Sequence, residues 1–341
     1  MQGFGDATIV VFGGAGFIGS NFIRKVLAEH PNARVVCLDA LTYAGSRENL
    51  AGLSPKRLTF IKGDIADRAV VSRVFKKHRP SYVINFAAET HVDRSIHEGA
   101  EAFVRTNALG TSILLGEARK LSGLKKFVQV STDEVYGALP LDSKKKFTEN
   151  SPLAPTSPYA ASKAAGDLIA RSFFATYRLP VVITRCSNNY GPYQHPEKLI
   201  PYSVMRLGQG KGVTLYGDGL NVRDWIHVDD HNDALVLALL SGKPGEIYNI
   251  GANDEVSNLD LAKRLVKSFA RGDEAISFAK DRPGHDRRYA IDSSKARREL
   301  GWKPRHTFKR SFAPTIAWFQ GHEGWMKRMQ KRAGAINTHI V

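Results

Sequence analysis

The sequence lacks the features of several large protein classes. It has only two cysteines in 341 residues, Cys37 and Cys186, each in or beside an apolar run, so a disulfide framework is excluded and a reducing cytoplasm is expected. No apolar run approaches the roughly 20 residues that a membrane-spanning helix needs. Acidic residues are also in deficit, with 33 Asp and Glu against 49 Lys and Arg, which gives a net charge of +16.

A basic chain can bind nucleic acid, but that function predicts a concentrated basic patch. Here the basic residues are spread along the chain, with small clusters at 144–146 and 327–332. A basic surface that attracts small anionic substrates is the interpretation we favour, and we expect neither a nucleic-acid nor a membrane partner. No group of His, Cys, Asp and Glu shows metal-ligand spacing along the sequence, so no metal is predicted.

Alternating apolar runs and helical periodicities predict the fold. The run 8–12 reads as a strand that ends at a glycine turn, a helix follows over 20–29, and a second strand over 34–38 ends at Asp39. Further strands at 58–61, 82–86, 126–130 and 181–184 alternate with helices. This order predicts an α/β fold, a doubly wound parallel sheet of the Rossmann type, with a smaller C-terminal α/β substrate-binding region. We expect a dinucleotide-binding domain over 1–187, with 223–250 returning to it, and a mainly substrate-binding domain over 188–341. The polar, basic tail beyond Gly321 is expected to be partly disordered.

The first turn has the spacing G-x-x-G-x-x-G at Gly13, Gly16 and Gly19, between a strand and a helix. Glycine lets backbone N–H groups approach a pyrophosphate at the helix N-terminus. Asp39 follows about 20 residues later at a strand end, where its carboxylate can accept the ribose hydroxyls of NAD and would repel the 2′-phosphate of NADP. Asp64 is a candidate for the adenine amino group or, alternatively, a turn carboxylate. The predicted cofactor contacts also include the following residues: Phe17, Ile18, Ile65, Ala87, Tyr159 and Lys163.

Tyr159 and Lys163 lie four residues apart at the start of a predicted helix, so they share one helix face. We expect the ammonium of Lys163 to favour the phenolate of Tyr159, which could then accept an alcohol proton as a hydride leaves the carbon.

The triplet Thr132, Asp133 and Glu134 directly follows a predicted strand, where ligands of such sheets bind. Thr132 could hydrogen-bond the reacting oxygen. The two carboxyl groups could act as an acid and a base. The spacing alone leaves a second interpretation equally open, in which they cap a helix or lie in a solvated loop.

Longer motifs carry a resemblance to a known family. They are the runs 87–95 (AAETHVDRS), 131–137 (STDEVYG), 188–193 (NNYGPY), 196–201 (PEKLIP), 221–225 (NVRDW) and 282–289 (RPGHDRRY). With the glycine and Tyr/Lys motifs, they resemble the extended short-chain dehydrogenase/reductases and, within them, closely resemble the dTDP-glucose 4,6-dehydratases over about residues 8–318.

The resemblance implies a three-step cycle with NAD. Tyr159 takes the C4 hydroxyl proton during hydride transfer, Glu134 then removes the C5 proton while Asp133 protonates the departing C6 hydroxyl, and the hydride returns to C6. It also implies a homodimer through helices near 100–120 and 159–177, and a set of substrate-binding residues: Asn188, Lys198, Leu199, Arg223, Asn258, Arg282 and His285. For His285 and His91 a purely structural role is an equal alternative.

The run 221–227 departs from the commonest family wording, and the chain is more basic than the family usually is, so the nucleotide base stays open. UDP- or CDP-glucose dehydration is therefore an alternative. A C4 epimerase or decarboxylase, which needs the tyrosine but not both carboxyl groups, is another. A catalytically silent NAD-binding protein is the alternative from a different class, and the intact catalytic set argues against it.

Overall fold

The computed structural model describes residues 3–334. Its strands are β1 Thr8–Phe12, β2 Arg34–Asp39, β3 Leu58–Lys62, β4 Tyr82–Asn85, β5 Lys126–Thr132, β6 Val181–Cys186, β7 Asn188–Tyr190, β8 Val213–Tyr216, β9 Val222–His227, β10 Ile247–Ile250, β11 Glu255–Ser257 and β12 Ile276–Ala279.

Its helices are α1 Phe17–Glu29, α2 Arg68–His78, α3 Val92–His97, α4 Glu101–Phe103, α5 Thr111–Ala118, α6 Pro158–Tyr177, α7 Leu199–Gly208, α8 Val228–Ser241, α9 Asn258–Ser268, α10 Ser294–Leu300, α11 Phe308–Gly321 and α12 Glu323–Ala333. A π-helical stretch, Val104–Gly110, joins α4 to α5, and short 3-10 turns occupy Arg47–Leu50, Asp133–Tyr136 and Asp273–Ala275.

Seven parallel strands form the main sheet, in the order β10-β6-β5-β4-β1-β2-β3. The order reverses beside β1, which is the point where doubly wound sheets bind their ligands. Apolar clusters pack on both faces, and β1, β5 and β6 are almost fully buried, because their β-branched side chains are covered by helices on each side. The predicted doubly wound sheet is confirmed.

The C-terminal half contributes two smaller sheets, β11-β9-β7 and β12-β8, around a separate apolar cluster. Strand β10 joins the main sheet beside β6, and α8 packs against β5 and β6. The domain boundary at 187/188, with 223–250 returning to the first domain, stays a prediction.

Helix α12 orders the tail as far as Ala333, which the sequence did not predict. Its sequence is polar and basic overall, yet Trp325, Met326 and Met329 fall on one face and are buried in the C-terminal cluster. Apolar residues at helical spacing stabilise a helix through packing even where the mean hydropathy is low. Residues 335–341 of the predicted tail lie outside the described residues. Over 3–334, no helix has the length and apolar character needed to cross a membrane.

Candidate active site

A cavity of about 340 Å³ lies at the carboxyl ends of β1, β2, β4 and β5. Its lining includes every residue predicted to bind the cofactor: Gly13, Gly16, Phe17, Ile18, Gly19, Asp39, Asp64, Ile65, Ala87, Tyr159 and Lys163. It also includes the triplet Thr132, Asp133 and Glu134, and two of the predicted substrate residues, Asn188 and Lys198. Strand direction explains the grouping, because parallel strands deliver their following loops to one edge of the sheet.

The glycine turn has the shape that a pyrophosphate requires. Gly13 has φ +72°, and a Cβ there would lie 2.4 Å from the backbone nitrogen of Ala87. A Cβ on Gly19 would lie 2.5 Å from the carbonyl oxygen of Gly13. Gly16 is the N-cap of α1 and offers no side chain to the first turn, so that turn's N–H groups stay available to an anion.

Asp39 is buried at the end of β2, and its carboxylate is held by two backbone N–H groups. Ala15 donates to Oδ2 at 2.9 Å and Leu41 donates to Oδ1 at 2.8 Å. Burial raises the pKa of Asp39, while the two N–H groups and the charge of Arg332 oppose that rise. Each carboxylate oxygen keeps a further lone pair for a ribose hydroxyl. The glycine turn and this acid together fit NAD.

Asp64 and Ile65, beyond β3, lie at the same edge of the cavity. The Asp64 carboxylate accepts from the Arg105 guanidinium at 2.8 Å in a half-exposed ion pair, an interaction that the sequence did not predict. The predicted contact of Asp64 with adenine stays a prediction.

Tyr159 and Lys163 are placed by the first turn of α6. Ser157 caps the helix by accepting from the Ala160 N–H at 3.1 Å, and Pro158 occupies the first helical position, where its missing N–H costs nothing. Thr132 lies near enough to the phenol to lower its pKa, and the Lys163 ammonium donates to the Val130 carbonyl at 2.7 Å.

Groups other than Lys163 dominate the pKa of Tyr159, so the expected effect of Lys163 on the phenol stays a prediction. The pKa of Tyr159 is raised well above its usual range, first by burial and then by the negative charges of Glu134, Cys186 and Asp133. Burial also lowers the pKa of Lys163. A positive charge in the cavity, such as the nicotinamide ring of NAD⁺, would lower the pKa of this phenol.

The triplet follows β5 and forms a tight 3-10 turn. The Thr132 hydroxyl caps this turn by accepting from the Glu134 N–H at 3.3 Å, and it donates to the Asp133 carboxyl at 3.3 Å. Asp133 is 2% exposed, and its Oδ2 has no hydrogen-bond partner among residues 3–334. The alternative of cap or solvated loop carboxylates was therefore wrong, since the cap is Thr132 and the carboxyl groups line the cavity.

The two carboxyl groups have different electrostatic surroundings. Burial raises the pKa of both. For Asp133 the next influences are the negative charges of Glu134 and Asp224, which raise its pKa further. For Glu134 they are the positive charges of Arg282, Arg223 and Lys198, which lower it. Such unequal surroundings suit the predicted acid role of Asp133 and base role of Glu134, and both roles stay predictions.

The other predicted substrate residues, Leu199, Arg223, Asn258, Arg282 and His285, are not part of the cavity lining. Arg223 donates to the carbonyls of Val222 and Asp286 and lies over the Tyr289 ring, with 4.3 Å between the guanidinium carbon and the ring centroid. Arg282 contacts the carboxylate of Asp93 at 3.3 Å. The charges of both arginines lower the pKa of Glu134, and the charge of Arg223 also lowers the pKa of Asp133.

Leu199, Asn258 and His285 have evident structural contacts. Leu199 begins α7 and packs against the C-terminal cluster, while Asn258 begins α9 and donates its backbone N–H to the Asn221 carbonyl at 2.9 Å. His285 contacts the Asp281 carboxylate at 2.7 Å, and burial beside Arg282 lowers its pKa to about 4. His91 caps α3 by accepting from the Arg94 N–H.

The structure adds cavity residues that the sequence reasoning missed. Tyr43 donates to Glu197 at 3.2 Å, and Glu197 also contacts the ammonium of Lys198 at 3.1 Å. Glu197 adjoins a predicted site residue, and that adjacency was an available signal. Tyr43 lies in a loop with no chemical motif, and only the fold brings it to the cavity.

One cluster outside the cavity is made of residue types that can bind a metal ion. Ligand atoms of His227, Asp229 and His306 lie within 4.8 Å of one another. However, the two imidazole rings stack at 4.3 Å with only 25° between their planes, so one ion cannot lie near the plane of both. Nδ1 of His227 instead caps α8, and Nδ1 of His306 bonds the Asp230 carboxylate.

Comparisons with known proteins agree with this geometry. The sequence model of the family described as GDP-mannose 4,6 dehydratase matches residues 10–314. A dTDP-glucose 4,6-dehydratase of Xanthomonas campestris pv. campestris (strain B100) is 46% identical, with 94% of this chain and 95% of that protein covered. The DesIV dTDP-glucose 4,6-dehydratase of Streptomyces venezuelae, solved with NAD and dTDP, is 47% identical with a TM-score of 0.90, covering 95% of this chain and all of that one. The Bacillus anthracis dTDP-glucose 4,6-dehydratase, solved with NAD, is 43% identical with a TM-score of 0.88, covering 95% of this chain and 100% of that one.

The sheet, the glycine turn and the Tyr/Lys pair define an NAD-dependent extended short-chain dehydrogenase/reductase. Within that class, the chain belongs to the family of the dTDP-glucose 4,6-dehydratases.

Proposed function

We propose that this protein is a hydro-lyase that converts dTDP-glucose into the 4-keto-6-deoxy sugar nucleotide, with NAD regenerated in each turnover. The observation that carries the proposal is the meeting of Tyr159 with Asp133 and Glu134 in one cavity. Oxidation at C4 alone, as in an epimerase, requires neither the Asp133 nor the Glu134 carboxyl group. The substrate in the names of the relatives described above supports the choice of dTDP-glucose.

In the first step, Tyr159 takes the proton of the C4 hydroxyl, and Thr132 beside it hydrogen-bonds the reacting oxygen. Bound NAD supplies the chemistry that the side chains lack, since it accepts the hydride from C4 and later returns it to C6. Lys163 stays anchored to the Val130 carbonyl, where its positive charge favours the phenolate.

The C4 ketone makes the C5 proton acidic enough for a carboxylate to remove. Glu134 takes that proton, and neutral Asp133 gives its proton to the C6 hydroxyl, which leaves as water. After the hydride reaches C6, Glu134 returns its proton to C5. Tyr159 ends the cycle with the proton of the C4 hydroxyl and Asp133 ends it without one, so transfer of one proton from Tyr159 to Asp133 through solvent restores the site. The net change is the loss of one water molecule.

The arginines supply the counter-charge for the diphosphate. A guanidinium presents a planar fork of donors that suits phosphate oxygens. Arg282 is held by the Asp93 carboxylate, and its Nε is buried without a partner among the described residues. We propose Arg223, Arg282 and Lys198 as the diphosphate-binding set.

The test is to supply purified protein with dTDP-glucose and no added reductant. We expect a product that has a 4-ketone and has lost its 6-hydroxyl. Retention of the 6-hydroxyl would contradict the proposal. Parallel rates with UDP-glucose and CDP-glucose decide the nucleotide, and faster turnover of either would replace dTDP-glucose as the substrate.

We propose a homodimer through α6 and the π-helical stretch. These elements pack on each other and expose large apolar side chains, with Val104 51%, Leu109 48% and Leu168 53% exposed. Leu109→Glu and Leu168→Glu should lower the mass measured by light scattering to that of a monomer. Phe278→Glu, at an equally exposed site on β12, is the matched control and should leave the mass unchanged.

We also propose a cytoplasmic location. Cys37 and Cys186 are both buried and free, and burial raises the pKa of each thiol, Cys186 to about 12. Such unpaired thiols suit a reducing compartment. Cell fractionation with detection of the protein in the extracellular fraction alone would contradict this location.

A further inference from the structure

Helix α12 contacts the loop that follows β2 and borders the ribose end of the cavity. It lies outside the region that the family model matches, which ends at residue 314. Three of its side chains reach the segment 45–49: Arg332 donates to the Gly45 carbonyl at 2.7 Å, Arg328 pairs with Glu48 at 2.8 Å, and Trp325 contacts Asn49.

A buried chain of hydrogen bonds runs from this helix to the glycine turn. The indole N–H of Trp325 donates to Oδ1 of Asn49 at 2.8 Å, and Nδ2 of Asn49 donates to the Ala15 carbonyl at 2.8 Å. The N–H of Ala15 in turn donates to Asp39 at 2.9 Å. Asn49 is 1% exposed, so breaking either bond leaves a polar group buried without a partner.

The same helix also contacts the opposite wall of the cavity. The ring of Tyr193 packs against Trp325, with 5.8 Å between ring centroids, and the next residues, Gln194 and His195, line the cavity. On the first wall, Gly45 lines the cavity so close to Asp39 that a Cβ there would lie 2.6 Å from its carboxylate. Helix α12 therefore connects two loops that enclose the site.

We propose that α12 is a clasp that retains the cofactor, and that Asn49 and Trp325 are positioning residues for the glycine turn and Asp39. This inference rests on the proposed NAD-dependent function. The cycle returns to C6 the same hydride that left C4. If the reduced cofactor dissociates during turnover, the ketone intermediate therefore has no hydride donor and the reaction stops. A helix that fixes the position of the glycine turn relative to Asp39 slows that dissociation.

The experiment measures the dissociation rate of NAD from the purified, full-length holoenzyme by exchange with labelled NAD. Trp325→Phe removes the indole N–H and keeps an aromatic ring, and we expect dissociation to become about threefold to tenfold faster. Asn49→Leu should have a similar effect. The double variant should release NAD at about the rate of the faster single variant, because both substitutions break the same chain of hydrogen bonds.

Trp302→Phe is the matched control. The Trp302 indole is 1% exposed and donates to the Asp230 carbonyl at 2.9 Å, so the same bond type is lost from a buried site that does not line the cavity. We expect a lower melting temperature for the apo form but NAD dissociation at the wild-type rate. Wild-type dissociation in Trp325→Phe and Asn49→Leu, or equally fast dissociation in Trp302→Phe, overturns the clasp.

If Trp325→Phe fails to fold, Arg332→Gln replaces it, because Arg332 is exposed and its loss leaves the apolar face of α12 intact. We then expect about twofold to threefold faster dissociation, and the wild-type rate would overturn the proposal. Failure of the proposed function can be distinguished from failure of the clasp. A wild-type protein that binds no NAD contradicts the proposed function. A wild type that dehydrates dTDP-glucose, with variants that release NAD at the wild-type rate, contradicts only the clasp.

Discussion

Replacing Glu134 by Gln should separate the two halves of the catalytic cycle. The change keeps the shape of the side chain and the backbone N–H bond to Thr132, so the 3-10 turn should be preserved. The elimination loses its base, and removal of a positioned general base slows a step by about a hundredfold to ten-thousandfold. Oxidation at C4 does not use Glu134 and should continue, which leaves the cofactor reduced on the enzyme.

The same substitution should also shift the pH dependence of the oxidation. After burial, Glu134 is the largest influence that raises the pKa of Tyr159. Gln carries no charge, so the pKa of Tyr159 falls and its phenolate is populated at lower pH. We therefore expect the midpoint of C4 oxidation against pH to move to lower pH in Glu134→Gln.

A single-turnover experiment measures both effects through the absorbance of NADH. We expect a rapid rise that does not decay, and no loss of the 6-hydroxyl from the sugar. Glu117→Gln changes a buried carboxyl group that does not line the cavity, and it should behave as wild type in this assay. Product release at the wild-type rate by Glu134→Gln would show that another group is the base. A midpoint that moves to higher pH would refute the electrostatic argument.

Three further predictions concern catalysis and stability. Tyr159→Phe should give no NADH absorbance on mixing with substrate, because no group remains to accept the C4 proton; a normal burst would exclude the tyrosine as the base. Asp167→Asn should lower the free energy of unfolding by about 3–5 kcal/mol in urea titrations, because it leaves the buried charge of Arg185 without its ion-pair partner. Arg185 pairs with Asp167 at 2.8 Å and is 1% exposed. A loss below about 1 kcal/mol would contradict this prediction. Asp224→Asn should remove a pH dependence of stability. Burial raises the pKa of Asp224 from 3.8 to about 6, so its protonated form is favoured in the folded state, and its contribution is present below pH 3.8 and lost as the pH rises to about 6. The free energy of unfolding of the wild type should therefore fall by about 3 kcal/mol relative to that of Asp224→Asn over this pH interval. Parallel plots of the free energy of unfolding against pH for the two proteins would refute the prediction.

Most of the main sheet could be predicted because its strands are locally encoded. Short β-branched runs that end at a glycine or an acid have few structural alternatives, and parallel order follows from the alternation with helices. The cofactor edge was predictable for the same reason: glycine spacing, the acid after β2 and the i, i+4 pair of α6 are local patterns. In contrast, α12 was missed, because its buried face has a partner only in the folded C-terminal cluster.

Short-range spacing and residue chemistry were enough to predict the class of fold, the cofactor type and the candidate catalytic side chains. The electrostatic surroundings of those side chains, and the contacts that support them, come from the tertiary structure alone. The raised pKa of Tyr159 and the different electrostatic surroundings of Asp133 and Glu134 depend on burial and on charges distant in sequence, such as Arg282 and Asp224. The bond from Trp325 to Asn49 joins residues 276 positions apart. No local pattern encodes such contacts, because they exist only where packing brings the segments together.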